Sequence, residues 1–142
     1  MALLQISEPG ESPAPHQRRL AVGIDLGTTH SLVAAVRSSV PEVLTDERGR
    51  ALVPSAVFVE ACGQTLVGSD ALAKQQAFPL DTLVSIKRLM GRSYQEAINS
   101  GMPFEFMEDG QSVRIKTQFA LLSPVEVAAK ILAKLKVLAE GT

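Results

Sequence analysis

Aromatic residues and cysteine are scarce in this sequence of 142 residues, which contains no tryptophan, one tyrosine, five phenylalanines and one cysteine. A single cysteine cannot form a disulfide within the chain, and together with two histidines it supplies too few ligands for a zinc site. Few rings are available to stack on bases and the net charge is only −1, so the sequence disfavours a nucleic-acid partner. A chain without disulfides is typical of a reducing compartment.

Long hydrophobic runs are also absent, because no run approaches the ~18 apolar residues that a membrane span needs. The first six residues are mostly apolar, but the first basic residues, Arg18 and Arg19, follow them instead of preceding them. That order does not match a secretory signal peptide. We therefore expect a cytoplasmic protein without a membrane partner. Residues 1–19 contain three prolines among polar residues, which predicts a flexible arm.

The remaining sequence has the composition of a globular protein, with 46% hydrophobic and 20% charged residues. Two short apolar runs, at residues 20–24 and 32–36, flank a Gly-Thr-Thr sequence and predict a β-hairpin. Because both faces of these strands carry apolar residues, we expect the hairpin to lie between two layers. Residues 41–68 predict further short strands, and Asp109-Gly110 predicts a second hairpin.

Helices are predicted mainly in the second half of the chain. Ser69 can cap a helix over residues 70–78, a shorter helix is expected at 84–90, and Ser93 begins a helix that ends near residue 101. Ser123 followed by proline predicts a long helix over residues 124–140. Its predicted buried stripe consists of Val125, Ala128, Ala129, Leu132, Leu135 and Leu138.

The most informative segment is residues 25–29, and we call its residues 27–29 the glycine–threonine turn. Gly27 allows a tight bend and a close approach to a ligand, and the following amides with the Thr28 and Thr29 hydroxyls can bind an anion. Asp25 is an oxygen ligand suited to Mg²⁺ through retained waters. The set fits a magnesium polyphosphate. A plain hairpin turn would use the same residue types, so local chemistry leaves both interpretations open.

Lys87 is the second candidate, within a stretch that holds three cations between residues 87 and 92. A lysine can act as a point charge on a transferred phosphoryl group. A solvated helix face accounts for the same residues, and composition alone favours that simpler interpretation.

Four segments together carry a resemblance to a known family. They are residues 23–31 (GIDLGTTHS), 53–55 (VPS), 67–75 (VGSDALAKQ) and 86–92 (IKRLMGR). In this order and spacing they resemble the nucleotide-binding domain of the heat-shock protein 70 (DnaK-type) family of chaperones. The resemblance covers about residues 20–140.

The resemblance implies an α/β, actin-like (ribonuclease H-like) ATPase fold that is incomplete here. Residues 20–40 and 118–140 would form a core subdomain, made of the first-lobe hairpin and a returning helix. Residues 41–117 would form a peripheral α+β subdomain. The second phosphate loop, the adenosine pocket and the peptide-binding domain for unfolded clients have no counterpart in these residues. The implied activity is hydrolysis of ATP to ADP, and we expect the 142 residues alone to bind ATP weakly and turn it over negligibly.

The resemblance also implies roles for single residues. Asp25 would hold the water shell of Mg²⁺, and Gly27, Thr28 and Thr29 would bind the phosphates. Lys87 would stabilise charge on the γ-phosphate. His30 stands where the family usually has Asn or Tyr; its backbone N–H can still serve as a donor, while its ring could make affinity depend on pH.

The arm at residues 1–20 resembles that of the HscA branch, which serves iron–sulfur cluster assembly. That likeness implies a J-type co-chaperone, HscB, and the cluster scaffold IscU as partners. Two alternatives stay open. A sugar kinase of the same superfold also uses an Asp-x-Gly-Thr-Thr turn, although the lysine and Val-Pro-Ser segments speak against it. The second alternative is a non-enzymatic fragment that only binds partners through residues 41–117.

Overall fold

The computed structural model describes residues 21–110 and 112–141, so the predicted arm at 1–19 lies outside the described residues. The strands are β1 Val22–Leu26, β2 His30–Arg37, β3 Val40–Val43, β4 Val53–Pro54, β5 Ala56–Val59, β6 Thr65–Val67, β7 Leu83–Val84, β8 Glu105–Asp109, β9 Ser112–Lys116 and β10 Leu121–Leu122. The helices are α1 Ser69–Leu72, α2 Tyr94–Ile98 and α3 Pro124–Glu140, with a 3₁₀ helix at Ile86–Leu89.

Three small sheets contain these strands. In the first, β2 pairs antiparallel with β1, β3 and β4; the second has the order β6-β5-β7 and the third β10-β9-β8. Both predicted hairpins are confirmed. Leu26 pairs with Ser31 across the glycine–threonine turn, and Asp109 pairs with Ser112 beside Gly110, whose φ of 63° is favoured in glycine.

The start of α3 lies where the sequence predicts it. The Ser123 hydroxyl accepts a hydrogen bond from the Glu126 amide at 3.1 Å, and Pro124 occupies the first turn. The predicted stripe is wrong in part, since Val125 is 62% exposed and Leu132 is 37% exposed. The buried residues of α3 are Pro124, Val127, Ala128, Ile131 and Leu135. They recur mostly at three- and four-residue spacing, on a face of α3 that is rotated from the predicted stripe.

The helix predicted at residues 70–78 is much shorter in the structure. Only Ser69–Leu72 is helical, and turns with contracted hydrogen bonds follow, such as Lys74 N–H to the Ala71 carbonyl at 3.0 Å. Ala71 is the one buried residue of α1. Packing supplies most helical stability in proteins, and a segment with one buried anchor receives little of it. Gly68, rather than Ser69, precedes the first helical residue.

The helix predicted at residues 84–90 is replaced by a strand and a 3₁₀ helix. Leu83–Val84 pairs with β5, and Ser85 then adopts a left-handed conformation with φ 58° before the turn at Ile86–Leu89. The apolar pattern predicted a helix here, but part of the segment pairs in a sheet instead. The Ser93 cap of α2 is confirmed by its hydrogen bond from the Glu96 amide, although α2 ends at Ile98.

One hydrophobic cluster runs through the described chain and joins all three sheets to α3. Val33 of β2 is fully buried in it, whereas Val22 and Ile24 of β1 are 45% and 43% exposed. The expectation that the hairpin lies between two layers is therefore wrong for the described residues: α3 covers β2, and β1 lies at the edge of the sheet. No helix within residues 21–110 and 112–141 combines the length and hydrophobicity needed to cross a bilayer.

Candidate functional site

The glycine–threonine turn connects two strands that are fixed in register up to Leu26 and Ser31. Its backbone folds tightly, since a Cβ placed on Gly27 would collide with the carbonyl oxygen of His30. That obstacle is backbone and cannot rotate away. The first position of the turn therefore requires glycine for steric reasons.

Ser55 ties the turn to the rest of the fold. Its hydroxyl donates to the Gly27 carbonyl at 2.8 Å, and its amide donates to the Thr29 carbonyl at 2.8 Å. Ser55 is only 6% exposed and directly precedes β5, in which every residue is buried. The turn is thus held at two carbonyls by one residue of the core.

Lys87 approaches the turn from another part of the chain. It lies on the 3₁₀ helix, where Ile86 and Leu89 are buried and Lys87 and Arg88 are exposed. The buried pair fixes the helix to the core, and the lysine is presented on its surface. Leu26, Gly27, Ser55, Ile86, Lys87, Met90, Pro124, Val127, Ala128 and Ile131 line one small cleft. Gly27 and Lys87, far apart in sequence, therefore meet at the same cleft.

The other predicted site residues do not line that cleft. Thr28 is half-buried, while Asp25, Thr29 and His30 are exposed around the turn. Within residues 21–110 and 112–141, neither the Asp25 carboxylate nor the Lys87 ammonium has a hydrogen-bond or ion-pair partner. One free negative and one free positive charge are thus available to a ligand beside the turn.

The chemistry of these groups fits a magnesium-bound phosphate. Mg²⁺ is usually held in proteins by one or two carboxylates, phosphate oxygens and waters, and Asp25 would supply a single carboxylate. No group of three or more His, Cys, Asp or Glu residues that could hold a metal by themselves occurs in the described part of the chain.

A larger cleft, which the sequence analysis did not predict, lies between the 46–50 loop, α1 and the end of α3. Of the acidic residues that line it, Asp46 is engaged within its own loop: it accepts from the Arg48 and Arg50 amides at 2.9 Å each and from the Arg50 guanidinium at 2.8 Å. The hydrogen bond from the Arg50 amide is the main reason that the pKa of Asp46 lies below its ordinary value. Arg50 also donates to Ser69 at 3.2 Å, which joins the loop to α1.

Ser55 is the residue of the site whose contacts sequence reasoning missed. The Val-Pro-Ser segment contributes to the family resemblance, but nothing local in it indicates a contact with the turn. The partners of Ser55 lie more than twenty residues earlier in the chain. The pairing of β2 with β4, His30 with Pro54 and Ser31 with Val53, brings the two segments together.

Comparison with known proteins gives a consistent family. A family model described as Hsp70 protein matches residues 21–142. Curated proteins named "Chaperone protein HscA homolog" are similar along the whole chain. The one from Bordetella petrii is 64% identical over 140 residues and the one from Bordetella pertussis 61% identical over 140 residues, each covering 99% of this chain. The one from Ralstonia nicotianae is 57% identical over 143 residues. The chain spans 23% of the length of each of these relatives.

Proposed function

The chain belongs to the Hsp70 family, and from that premise we propose that it is part of the ATPase domain of a molecular chaperone, which binds Mg²⁺-ATP and Mg²⁺-ADP at the glycine–threonine turn. The family implies an actin-like ATPase fold. The observation that carries the proposal is the meeting of Gly27 and Lys87 at one cleft, with Asp25, which has no partner among the described residues, two positions before the turn. A hairpin turn with only a structural role would not require two uncompensated charges of opposite sign around it.

Each residue would contribute one kind of interaction. The backbone amides from Gly27 to His30, with the Thr28 and Thr29 hydroxyls, would donate hydrogen bonds to phosphate oxygens. Asp25 would hold Mg²⁺ through its water shell, and the ion would neutralise phosphate charge. Lys87 would attract the terminal phosphate across the cleft and counter the charge that develops on it during hydrolysis.

The subdomain division is proposed along the same lines. Residues 20–40 and 118–140 would form a core subdomain and residues 41–117 a peripheral one. In the structure α3 packs against β2 of the first grouping and also against β5, β6 and the 3₁₀ helix of the second. The turn and Lys87 would then belong to different subdomains, so that a change in their relative position would open or close the cleft.

The names of the relatives support a finer proposal. We infer that the protein is a cytoplasmic chaperone for iron–sulfur protein maturation, working with a J-type co-chaperone such as HscB and with the scaffold IscU as client. Stimulation of its ATPase by these two proteins, but not by a sugar substrate, would support that assignment over a sugar kinase. Stimulation by unfolded peptides in general and not by the scaffold would contradict the specialised role.

The test of nucleotide binding uses the complete gene product and two substitutions. Charge-assisted hydrogen bonds contribute about 1.5–3 kcal/mol, so Asp25→Asn and Lys87→Ala should each weaken Mg²⁺-ATP binding or hydrolysis by about tenfold or more. Calorimetric titration and phosphate release measure the two quantities. We expect Asp25→Asn to reduce the dependence of affinity on Mg²⁺, and Lys87→Ala to lower turnover more than affinity.

Two matched substitutions serve as controls. Asp70→Asn and Lys134→Ala each remove a charge that has no ion-pair partner within the described residues, away from the glycine–threonine turn. Both should leave nucleotide affinity and turnover unchanged. Turnover that persists in Asp25→Asn and Lys87→Ala, or that falls equally in the controls, would contradict the proposed site.

A further inference from the structure

We propose that Ser55 is a positioning residue that holds the glycine–threonine turn in the shape that receives phosphate, and that Ser31 fixes the Ser55 hydroxyl from behind. The inference rests on the proposed function, because it specifies how the fold prepares the same turn for its ligand. It concerns two serines that are both buried. Ser31 is 1% exposed and Ser55 is 6% exposed.

The directions of the two hydroxyl hydrogen bonds follow from proton counting. The Ser55 oxygen lies 2.8 Å from the Gly27 carbonyl oxygen and 2.8 Å from the Ser31 hydroxyl oxygen. A carbonyl can only accept, and each serine has a single hydroxyl proton. Ser55 therefore donates to Gly27, and Ser31 must donate to Ser55. The three groups form a one-way chain that ends on the turn.

The backbone of Ser55 adds a second attachment. Its amide donates to the Thr29 carbonyl at 2.8 Å, so that the carbonyls of Gly27 and Thr29 are both bound to one residue. An anion is attracted by N–H groups and repelled by carbonyl oxygens. Holding two carbonyls on Ser55 keeps those oxygens away from an approaching phosphate. The amides of the turn are then the backbone groups left for a ligand that accepts hydrogen bonds.

Ser55 also lines the cleft that contains Gly27 and Lys87. Its only hydroxyl proton is committed to Gly27, however, so its hydroxyl has no donor left for a phosphate oxygen. The geometry thus distinguishes a positioning role from a direct ligand role. If the Ser55 hydroxyl bound the ligand directly, removing it would weaken binding without changing the turn. If Ser55 is a positioning residue, removing its hydroxyl changes the turn even without ligand.

The test measures the turn and the ligand separately in the complete gene product. Hydrogen exchange at the amides of residues 27–30 reports on the turn without nucleotide, and calorimetric titration with Mg²⁺-ADP reports on binding. A buried carbonyl left without its donor is costly, so Ser55→Ala should speed exchange at these amides and weaken ADP binding by about tenfold. Ser55→Thr keeps the hydroxyl and should retain most of the affinity.

The order in which the variants lose ADP affinity distinguishes the hydrogen-bond chain from Ser31 through Ser55 to Gly27 from a general loss of stability. Ser31→Ala leaves the bond from Ser55 to Gly27 in place and should cost only about threefold in affinity. The double variant should bind no more weakly than Ser55→Ala alone, since Ser31 acts only through Ser55. Ser112→Ala is the matched control, because it removes an exposed serine-to-carbonyl bond of 2.8 Å in another sheet and should change neither measurement.

Each result decides the inference. Unchanged exchange at residues 27–30 in Ser55→Ala would overturn it, as would faster exchange with unaltered ADP affinity. If Ser55→Ala does not fold, Ser31→Ala carries the same two measurements, and no change in either overturns the role of the pair. Failure of the unsubstituted protein to bind ADP would refute the proposed function and the phosphate role with it, while the exchange data would still report whether the serines hold the turn.

Discussion

Two short polar segments on the surface use their hydrogen-bonding groups in opposite ways. The 46–50 loop closes on itself: Asp46 accepts from the amides of Arg48 and Arg50 and from the Arg50 side chain, while its own amide donates to the Arg50 carbonyl. In the glycine–threonine turn, the carbonyls are held from outside by Ser55, and the neighbouring acid Asp25 has no partner among the described residues.

If the proposed function holds, the contrast explains how the turn is prepared for its ligand. In the 46–50 loop, the Asp46 carboxylate is occupied by amides of its own loop, which makes the loop rigid but leaves this carboxylate unavailable to a metal. A turn that is made rigid by a distant core residue keeps its acid, hydroxyls and amides free. Residues 25–29 and the 46–50 loop each contain an aspartate and a glycine, so composition alone cannot distinguish them. The position of their hydrogen-bond partners does.

Among the substitutions that test this contrast, Gly27→Ala is expected to have the largest effect. The new Cβ would meet the His30 carbonyl, and the backbone on both sides is fixed by strand pairing. We expect a loss of about 3 kcal/mol in the free energy of unfolding. Nucleotide affinity should fall by at least tenfold. Denaturant unfolding and titration with Mg²⁺-ADP measure the two.

Gly23→Ala is the matched control for that change, since a Cβ at Gly23 of β1 would have no atom within 4 Å. It should be neutral in both measurements. If Gly27→Ala has the same free energy of unfolding and the same Mg²⁺-ADP affinity as Gly23→Ala, the tight turn is not needed for either property. The contrast between the two segments would then lose its physical basis.

Much of the fold could be predicted because its signals are local. The two hairpins, the Ser93 cap and the Ser123 start of α3 depend on residues that are close together in the sequence. The errors occur where a distant partner overrides a local preference. β5 draws Leu83–Val84 into a sheet, and α1 is short because only Ala71 meets the core.

The candidate site divides in the same way. Asp25, Gly27, Thr28 and Thr29 follow from a contiguous motif, and the resemblance adds Lys87. Their roles in binding are still predictions. The attachment of the turn to Ser55 could not be predicted, since it needs the pairing of β2 with β4 to bring the two segments together. Sequence therefore indicates which residues meet a ligand more readily than which residues hold them in place.

A smaller effect is expected at the other segment, from Asp46→Ala. The Arg48 and Arg50 amides would lose their acceptor, and Arg50 would lose the carboxylate that holds it near Ser69. Because the loop is exposed, we expect a lower melting temperature with a smaller loss than Gly27→Ala produces. Nucleotide affinity should not change. Glu47→Ala removes the neighbouring exposed acid, which has no partner in the described chain, and should alter neither quantity.

The smallest expected effect is the dependence of this loop on pH. The Arg50 amide, with the Arg50 side chain and the Arg48 amide, holds the pKa of Asp46 below its ordinary value. A carboxyl with a lowered pKa in the folded state stabilises the protein above its unfolded pKa, and that contribution is lost as pH falls through the folded pKa. Wild-type stability should therefore decline more steeply than that of Asp46→Asn between neutral pH and about pH 3.

Urea unfolding at a series of pH values measures the two slopes, with Glu47→Gln as the control that should follow the wild type. Glu96, whose pKa is lowered chiefly by its hydrogen bond from Arg92, contributes equally to both proteins and cancels in the comparison. Parallel curves for wild type and Asp46→Asn would mean that the loop amides do not stabilise the carboxylate. The hydrogen bonds of the 46–50 loop would then stabilise the Asp46 carboxylate no more than the turn stabilises that of Asp25. The contrast between the two segments would rest on the contacts of Ser55 alone.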